Sequence, residues 1–110
     1  MIEPKSKFSV SELSSEIKRS LEGLFFTVKV YGEVSNLHIH SSGHIYFTLK
    51  DKNAELRCVM FKNANQFLGF DPEDGLNISA IGRVSFYKQR GTLQLIIDSM
   101  KPDGIGALFK

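Results

Sequence analysis

The sequence lacks the features that mark several large classes of protein. It has a single cysteine, so no disulfide can form within the chain, and this fits a reducing cytoplasm. No apolar run approaches the roughly 20 residues that a membrane-spanning helix needs. No apolar stretch follows the lysines of residues 1–7, which argues against a signal peptide. These absences favour a cytoplasmic protein without membrane contact.

The chain has the length and charge of one ordinary folded domain. Its 110 residues fall in the most common domain range of roughly 100–150, and 42% hydrophobic residues suffice for a core. The net charge is only +2. Residues 1–24 hold four basic and four acidic residues, whereas residues 76–101 hold four basic residues and one acid. This basic second half favours a polyanionic partner more than the net charge does.

Clear start signals predict a helix near the N-terminus. Ser9 and Glu12 have the S-x-x-E spacing of a capping box, and Phe8 and Leu13 fall at the positions of a hydrophobic staple. Gly23 is placed to end the helix near that point. We expect the apolar face of the helix to pack on the rest of the domain, and the alternative is a helix reserved for a partner. That face consists of residues at three- and four-residue steps: Val10, Leu13, Ile17, Leu21 and Leu24.

Alternating apolar and polar residues predict five β-strands after the helix. Each strand has one apolar face, which predicts an antiparallel sheet with one buried side. Gly32 and Gly82, in the first and fourth strands, permit the sharp bends that let a small sheet close into a barrel. The predicted strands are Thr27–Asn36, Gly43–Lys50, Ala54–Phe61, Leu76–Tyr87 and Thr92–Met100.

The order of the predicted elements favours one fold. Asn63–Gly69 has the composition of a helical turn between the third and fourth strands. A helix at this point of a five-stranded barrel is the element order of an OB-fold. We therefore predict a mainly β protein, a five-stranded OB-fold barrel with an N-terminal α-helix and a short helix between strands three and four. A generic five-stranded sandwich is the alternative.

No residue pattern indicates a catalytic or metal site. The acidic run Asp71–Gly75 contains Pro and Gly and predicts a solvated turn. His38, His40 and His44 have an H-x-H-x3-H spacing, but no cysteine or acid of that loop completes a tetrahedral set. Cys58 should point into the barrel. We predict no catalytic residue, no metal and no cofactor in this chain.

The outward face of the second and third strands is the predicted binding site. OB-folds bind oligonucleotides or oligosaccharides there, between the loops that join strands one to two and four to five. Exposed rings can stack on unpaired bases while cations neutralise phosphates. Thr48 and Val59 belong to the same predicted face, and the alternative is that Tyr46 and Phe61 lie under the helix or a loop. The candidate nucleic-acid-binding residues are His44, Tyr46, Lys50, Arg57, Phe61, Lys62, Lys88 and Arg90.

Four segments resemble one known family in their order and spacing. They read FSVSEL at 8–13, GEVSN at 32–36, SGHIYFTLKD at 42–51 and RCVMF at 57–61. The chain thus resembles the N-terminal OB-fold domain of the large subunit of bacterial exodeoxyribonuclease VII. The resemblance implies single-stranded DNA as the ligand, a phosphodiester-hydrolysing domain outside this chain, and small subunits bound through that absent region. It divides the chain into a helical segment at 1–24, an OB-fold domain at 25–102 and the start of a linker at 103–110.

The hairpin between the last two strands departs from the family pattern. Residues 87–93 read YKQRGTL, where relatives often have an EPRGDY-like sequence, so Arg90 is a weaker candidate contact than Phe61. A protein–protein assembly module is the alternative function, because the capped helix and exposed apolar residues could dock a subunit. Self-association is left open.

Overall fold

The computed structural model describes residues 7–103 as a closed five-stranded β-barrel with a helix beside it. The predicted linker at 103–110 lies outside the described residues except for Asp103. Strand order around the barrel is β1-β2-β3-β5-β4, with every neighbouring pair antiparallel except β3 and β5. The predicted OB-fold is confirmed. Its elements are α1 (Val10–Leu24), β1 (Val28–Ile39), β2 (Ile45–Lys50), β3 (Glu55–Met60), α2 (Lys62–Asn65), β4 (Asn77–Tyr87) and β5 (Thr92–Pro102).

Alternate residues of the strands build the core. The side chains that face the barrel interior come from all five strands and are buried almost completely. Burying apolar area in this way is the main favourable contribution to folding. The core includes Val34, Phe47, Leu49, Cys58, Met60, Ile78, Leu95 and Ile97.

No described helix has both the length and the apolar character needed to cross a membrane.

Two glycines let neighbouring strands approach closely enough to close the barrel. A Cβ on Gly82 of β4 would clash with the backbone carbonyl oxygen of Ile96 in β5. A Cβ on Gly32 of β1 would lie 2.9 Å from the carbonyl oxygen of Lys50 in β2. The β4–β5 ladder also shifts register between Ile81 and Gly82. The closed barrel predicted from these two glycines is therefore confirmed.

The helix α1 covers a free edge of β4. β1 pairs with β4 only as far as Gly82, so the following residues of β4 have no strand neighbour on that side. The Glu22 carboxylate accepts a hydrogen bond from the Phe86 N–H at 3.1 Å, and Lys18 Nζ donates to the Phe86 carbonyl at 3.3 Å. The Val84 N–H donates to the carbonyl oxygen of Phe25 just after the helix, at 3.0 Å. The helix thus satisfies backbone groups that another strand would otherwise pair.

The start of α1 is as predicted. The Ser9 hydroxyl accepts a hydrogen bond from the Glu12 N–H at 3.0 Å, and the Glu12 carboxylate accepts one from the Ser9 N–H at 2.7 Å, so the capping box is confirmed. Gly23 lies inside the last turn instead of beyond it. The helix ends at Leu24, with Phe25 as its C-cap residue.

The apolar face of α1 is only partly covered. Ile17 and Leu21, in the middle of the face, are half-buried. Val10 at the start is 84% exposed and Leu24 at the end is 77% exposed. The expectation that the whole face packs on the domain is wrong at both ends of the helix. The helix packs mainly on β4, and the free edge of β4 is too short to cover the whole face.

β1 is longer than predicted and contains a bulge. It continues to Ile39, so His38 lies in the strand and not in the loop. Asn36 has a positive φ of 54°, and the register between β1 and β2 shifts between Ser35 and His38. A bulge adds a residue to one strand and interrupts the alternation of apolar and polar residues. The strand predicted from that alternation therefore ends at the bulge.

We expect Gly82→Ala to lower the free energy of unfolding by about 2–3 kcal/mol, because its Cβ fits only if the β5 backbone moves. Gly23→Ala is the matched control, since a Cβ there meets nothing within 4 Å. It should raise stability by about 0.5–1 kcal/mol, the usual gain of alanine over glycine in a helix. Urea denaturation followed by circular dichroism measures both changes. Equal effects of the two variants would contradict this account of closure.

The Glu22 contact predicts an acid-sensitive helix attachment. Hydrogen bonds from Lys18 and from the Phe86 N–H lower the pKa of Glu22 from its ordinary value of 4.5. When the pKa is lower in the folded state, the group adds stability at pH values above its unfolded-state pKa. This stability is lost as the pH falls through the folded-state pKa. Glu22→Gln should therefore lower the melting temperature at about pH 7 and have a smaller effect at about pH 3. The exposed loop variant Glu73→Gln is the control, and a Glu22→Gln effect that does not change with pH would contradict the assignment.

Candidate nucleic-acid interface

The outer side of β2 and β3 forms a continuous surface, here called the β2–β3 face. Tyr46 of β2 lies between His38 of β1 and Val59 of β3. One row further along, Thr48 of β2 lies opposite Arg57 of β3. Tyr46 is 39% exposed, so the alternative that it lies under the helix or a loop is wrong.

A cleft of about 340 Å³ opens in this face. Tyr46, Thr48 and Arg57 line it from the two central strands, Asn36 lines it from the β1 bulge and Gln94 lines it from β5. The volume is at the lower end of the roughly 300–1,000 Å³ typical of ligand sites. Within residues 7–103, none of these five side chains is hydrogen-bonded to another part of the protein. Their donors and acceptors are available to a ligand.

The bulge that carries Asn36 is held from the loop before β4. The Leu37 N–H donates to the Asp74 carboxylate at 2.9 Å, and the Gly75 N–H donates to the Val34 carbonyl at 2.8 Å. The acidic run that the sequence predicted as a solvated turn therefore has a structural role as well. Asn36 and Gln94 are the cleft residues that sequence reasoning missed. Asparagine tolerates a left-handed backbone, which is a weak signal for the first, and no signal identifies the second.

Three aromatic rings extend the face beside the cleft. The ring of His40 lies edge-on to Tyr46 with centroids 6.5 Å apart, and edge-on to His38 at 6.1 Å. The Ser42 N–H donates to His40 Nδ1 at 3.0 Å, which fixes that ring in place. Such a row of rings offers flat surfaces for unpaired bases.

His44 and Phe61 form a second contact next to the first loop. Their rings meet edge-on at 5.1 Å, and both residues are half-buried. His44 Nδ1 accepts a hydrogen bond from the Lys62 N–H at 3.0 Å, so the other ring nitrogen carries the proton when the ring is neutral. A Cβ on Gly43 would lie 3.1 Å from the Lys62 side chain, so the Lys62 side chain packs closely against the loop at Gly43. None of these residues lines the cleft.

The three histidines do not form one cluster. His38 and His40 are neighbours, while His44 lies against Phe61. In the part of the chain that the structure describes, no group of three His, Cys, Asp or Glu residues is arranged to hold a metal ion. Cys58 is buried as predicted, and burial raises the pKa of its thiol to about 12.

Three of the predicted cationic contacts do not line the cleft. Lys50 lies between Glu33 and Glu55 on the neighbouring strands. Lys88 Nζ donates to the Ser15 hydroxyl of α1 at 3.1 Å, so its side chain points toward the helix. Arg90 is exposed in the turn between β4 and β5.

The expectation that Val59 belongs to the exposed face is wrong. Its relative exposure is only 1%. It pairs with Tyr46 on one side and with Ile96 on the other, because β5 closes the barrel beside β3. Larger neighbours on both strands cover this small side chain.

Comparison with known proteins decides the family. A family model described as an OB-fold nucleic acid binding domain matches residues 8–101. The chain belongs to this OB-fold family. It is 50% identical over 104 residues to the exodeoxyribonuclease 7 large subunits of Geotalea daltonii and of Geobacter sulfurreducens. The match covers 94% of this chain and 23% of each relative, so the chain spans about a quarter of their length. The resemblance noted in the sequence is confirmed.

Solved structures support the same fold. A Replication Protein A heterotrimer bound to single-stranded DNA matches with a TM-score of 0.60 at 8% identity, covering 74% of this chain and 61% of that one. The Stn1–Ten1 complex of S. pombe matches with a TM-score of 0.61 at 15% identity, covering 74% of this chain and 60% of that one. At such low identity these matches establish the architecture of the OB-fold family and nothing finer.

The His44 contact predicts a structural role for this candidate residue. We expect His44→Ala to lower the free energy of unfolding by about 1–3 kcal/mol, because the Lys62 N–H loses its acceptor and Phe61 loses a packed ring. His38→Ala, on the exposed end of β1, should change stability by less than about 0.5 kcal/mol. Thermal unfolding of both variants tests this, and equal effects would contradict it.

Proposed function

We propose that the OB-fold family domain described here binds single-stranded DNA through its β2–β3 face. We further propose that it is the DNA-binding part of an exodeoxyribonuclease VII large subunit in the bacterial cytoplasm. It would hold the strand for a hydrolytic region outside this chain, which would also bind the small subunits. The observation that carries the proposal is an exposed Tyr46 near Arg57, around an open cleft whose polar side chains have no hydrogen-bond partner in the described part of the chain.

The chemistry of the face matches an unpaired strand better than a duplex. Bases in a duplex are stacked on each other, whereas bases of a single strand can stack on Tyr46 and on the neighbouring His40. Arg57 can neutralise a phosphate or contact a base, and it forms no ion pair within residues 7–103. The names of the relatives support the choice of DNA, since exodeoxyribonucleases act on DNA.

One observation favours a second function. Parts of α1 and the residues after it expose apolar side chains, including Val10, Leu24 and Phe26. Such residues are candidates for a protein contact. Light scattering over a concentration series tests self-association, and a strict monomer that binds DNA disfavours assembly as the main function.

Binding of a fluorescent oligothymidine of about 16 nucleotides to the full chain tests the main proposal. We expect the affinity to fall as salt rises, because phosphate contacts release counterions. Tyr46→Ala should weaken binding about tenfold through lost stacking. Arg57→Ala should also weaken binding and should reduce the slope of log affinity against log salt by about one.

Two variants away from the face serve as controls. Phe67→Ala removes a ring that is 81% exposed near α2, and Arg83→Ala removes a guanidinium that pairs with Asp98 at 3.3 Å. Both should leave the affinity unchanged. The proposal fails if Tyr46→Ala and Arg57→Ala bind as tightly as the unaltered chain. It also fails if the two control variants lose as much affinity as Tyr46→Ala and Arg57→Ala.

A further inference from the structure

We propose that the cleft in the β2–β3 face is a base-selective subsite that prefers guanine. This inference rests on the proposed function, because it names which part of the single strand the cleft recognises. Sequence-neutral single-strand binding needs only stacking rings and a cationic groove. The cleft holds more than that, since a guanidinium, two carboxamides and the hydroxyl-bearing residues Thr48 and Tyr46 line one space of about 340 Å³.

The polar groups of the cleft have no competing partners in the described chain. Two arginines are paired, Arg19 with Glu16 and Arg83 with Asp98, whereas Arg57, like Arg90, has no carboxylate partner within residues 7–103. Phe47 and Cys58 also line the cleft, and their side chains are buried in the barrel core behind it. A hydrogen bond is stronger where such low-dielectric protein lies on one side of it than in open water.

The bulge in β1 directs a carboxamide to this point. Asn36 is the one described non-glycine residue with a positive φ, and a left-handed backbone is uncommon for a residue with a side chain. Bulges redirect side chains and often lie beside functional sites. The Asp74 carboxylate and the Leu37 N–H hold the bulge in this shape at 2.9 Å.

The donor and acceptor pattern favours guanine. Arg57 only donates, and its two parallel N–H groups match the adjacent O6 and N7 acceptors of guanine. Adenine has an amino group in place of O6, so a donor would face a donor. The carboxamide oxygens of Asn36 and Gln94 can accept from the N1–H and the amino group of guanine. Tyr46 can stack on the purine ring.

Four oligothymidines that differ only in one central base test the proposal. We measure their affinities for the full chain by fluorescence anisotropy, with thymine, guanine, adenine or cytosine at that position. Guanine should bind about tenfold tighter than adenine, since one good bidentate contact discriminates bases by about that factor. Equal affinities for the four bases would overturn the inference while leaving the proposed function intact. Failure of all four oligonucleotides to bind would overturn both.

Conservative variants show whether the cleft residues cause the preference. Arg57→Lys keeps the charge but removes the planar fork, so it should lower the affinity for guanine more than that for thymine and reduce the ratio toward one. Arg83→Lys is the matched control and should leave the ratio unchanged. Asn36→Gly keeps the left-handed backbone without the carboxamide and should also lower the ratio. A guanine preference that survives both Arg57→Lys and Asn36→Gly would contradict the assignment.

Discussion

The barrel closes where β4 and β5 come into close contact at Gly82. Only a residue without a Cβ lets the β4 backbone lie so near the carbonyl of Ile96. β5 then runs beside β3, where the pairs Cys58–Leu95 and Val59–Ile96 close the barrel. The same placement buries Val59 and brings Gln94 to the cleft beside Arg57. The close backbone contact in one part of the barrel thus shapes the β2–β3 face in another.

The β2–β3 face combines fixed supports with polar groups that have no partner within residues 7–103. The supports are hydrogen bonds to backbone N–H groups: Ser42 to His40, Lys62 to His44, and Leu37 to Asp74. They order the first loop, the start of α2 and the β1 bulge before any ligand arrives. The polar side chains of the cleft are not used in this way. Because the surrounding backbone is already ordered, a nucleotide that binds there has to order only a few side chains.

Much of the architecture follows from local sequence signals. The S-x-x-E cap located the start of α1, and period-two alternation located all five strands, because both reflect short-range geometry. The exposure of Tyr46 also followed from alternation. Three features did not, since each depends on contacts between distant parts of the chain. Val59 is covered by β5, Asn36 is directed by a bulge tied to Asp74, and Lys88 is drawn to Ser15 of α1.

We propose that single-stranded DNA lies on the β2–β3 face and not along α1. Backbone amide chemical shifts of the labelled chain, followed while a short oligonucleotide is titrated in, test this most directly. We expect the shift changes to concentrate at Asn36, Tyr46, Arg57 and Gln94, on four different strands around one cleft. Shifts confined to α1 and the edge of β4 that it covers would contradict it.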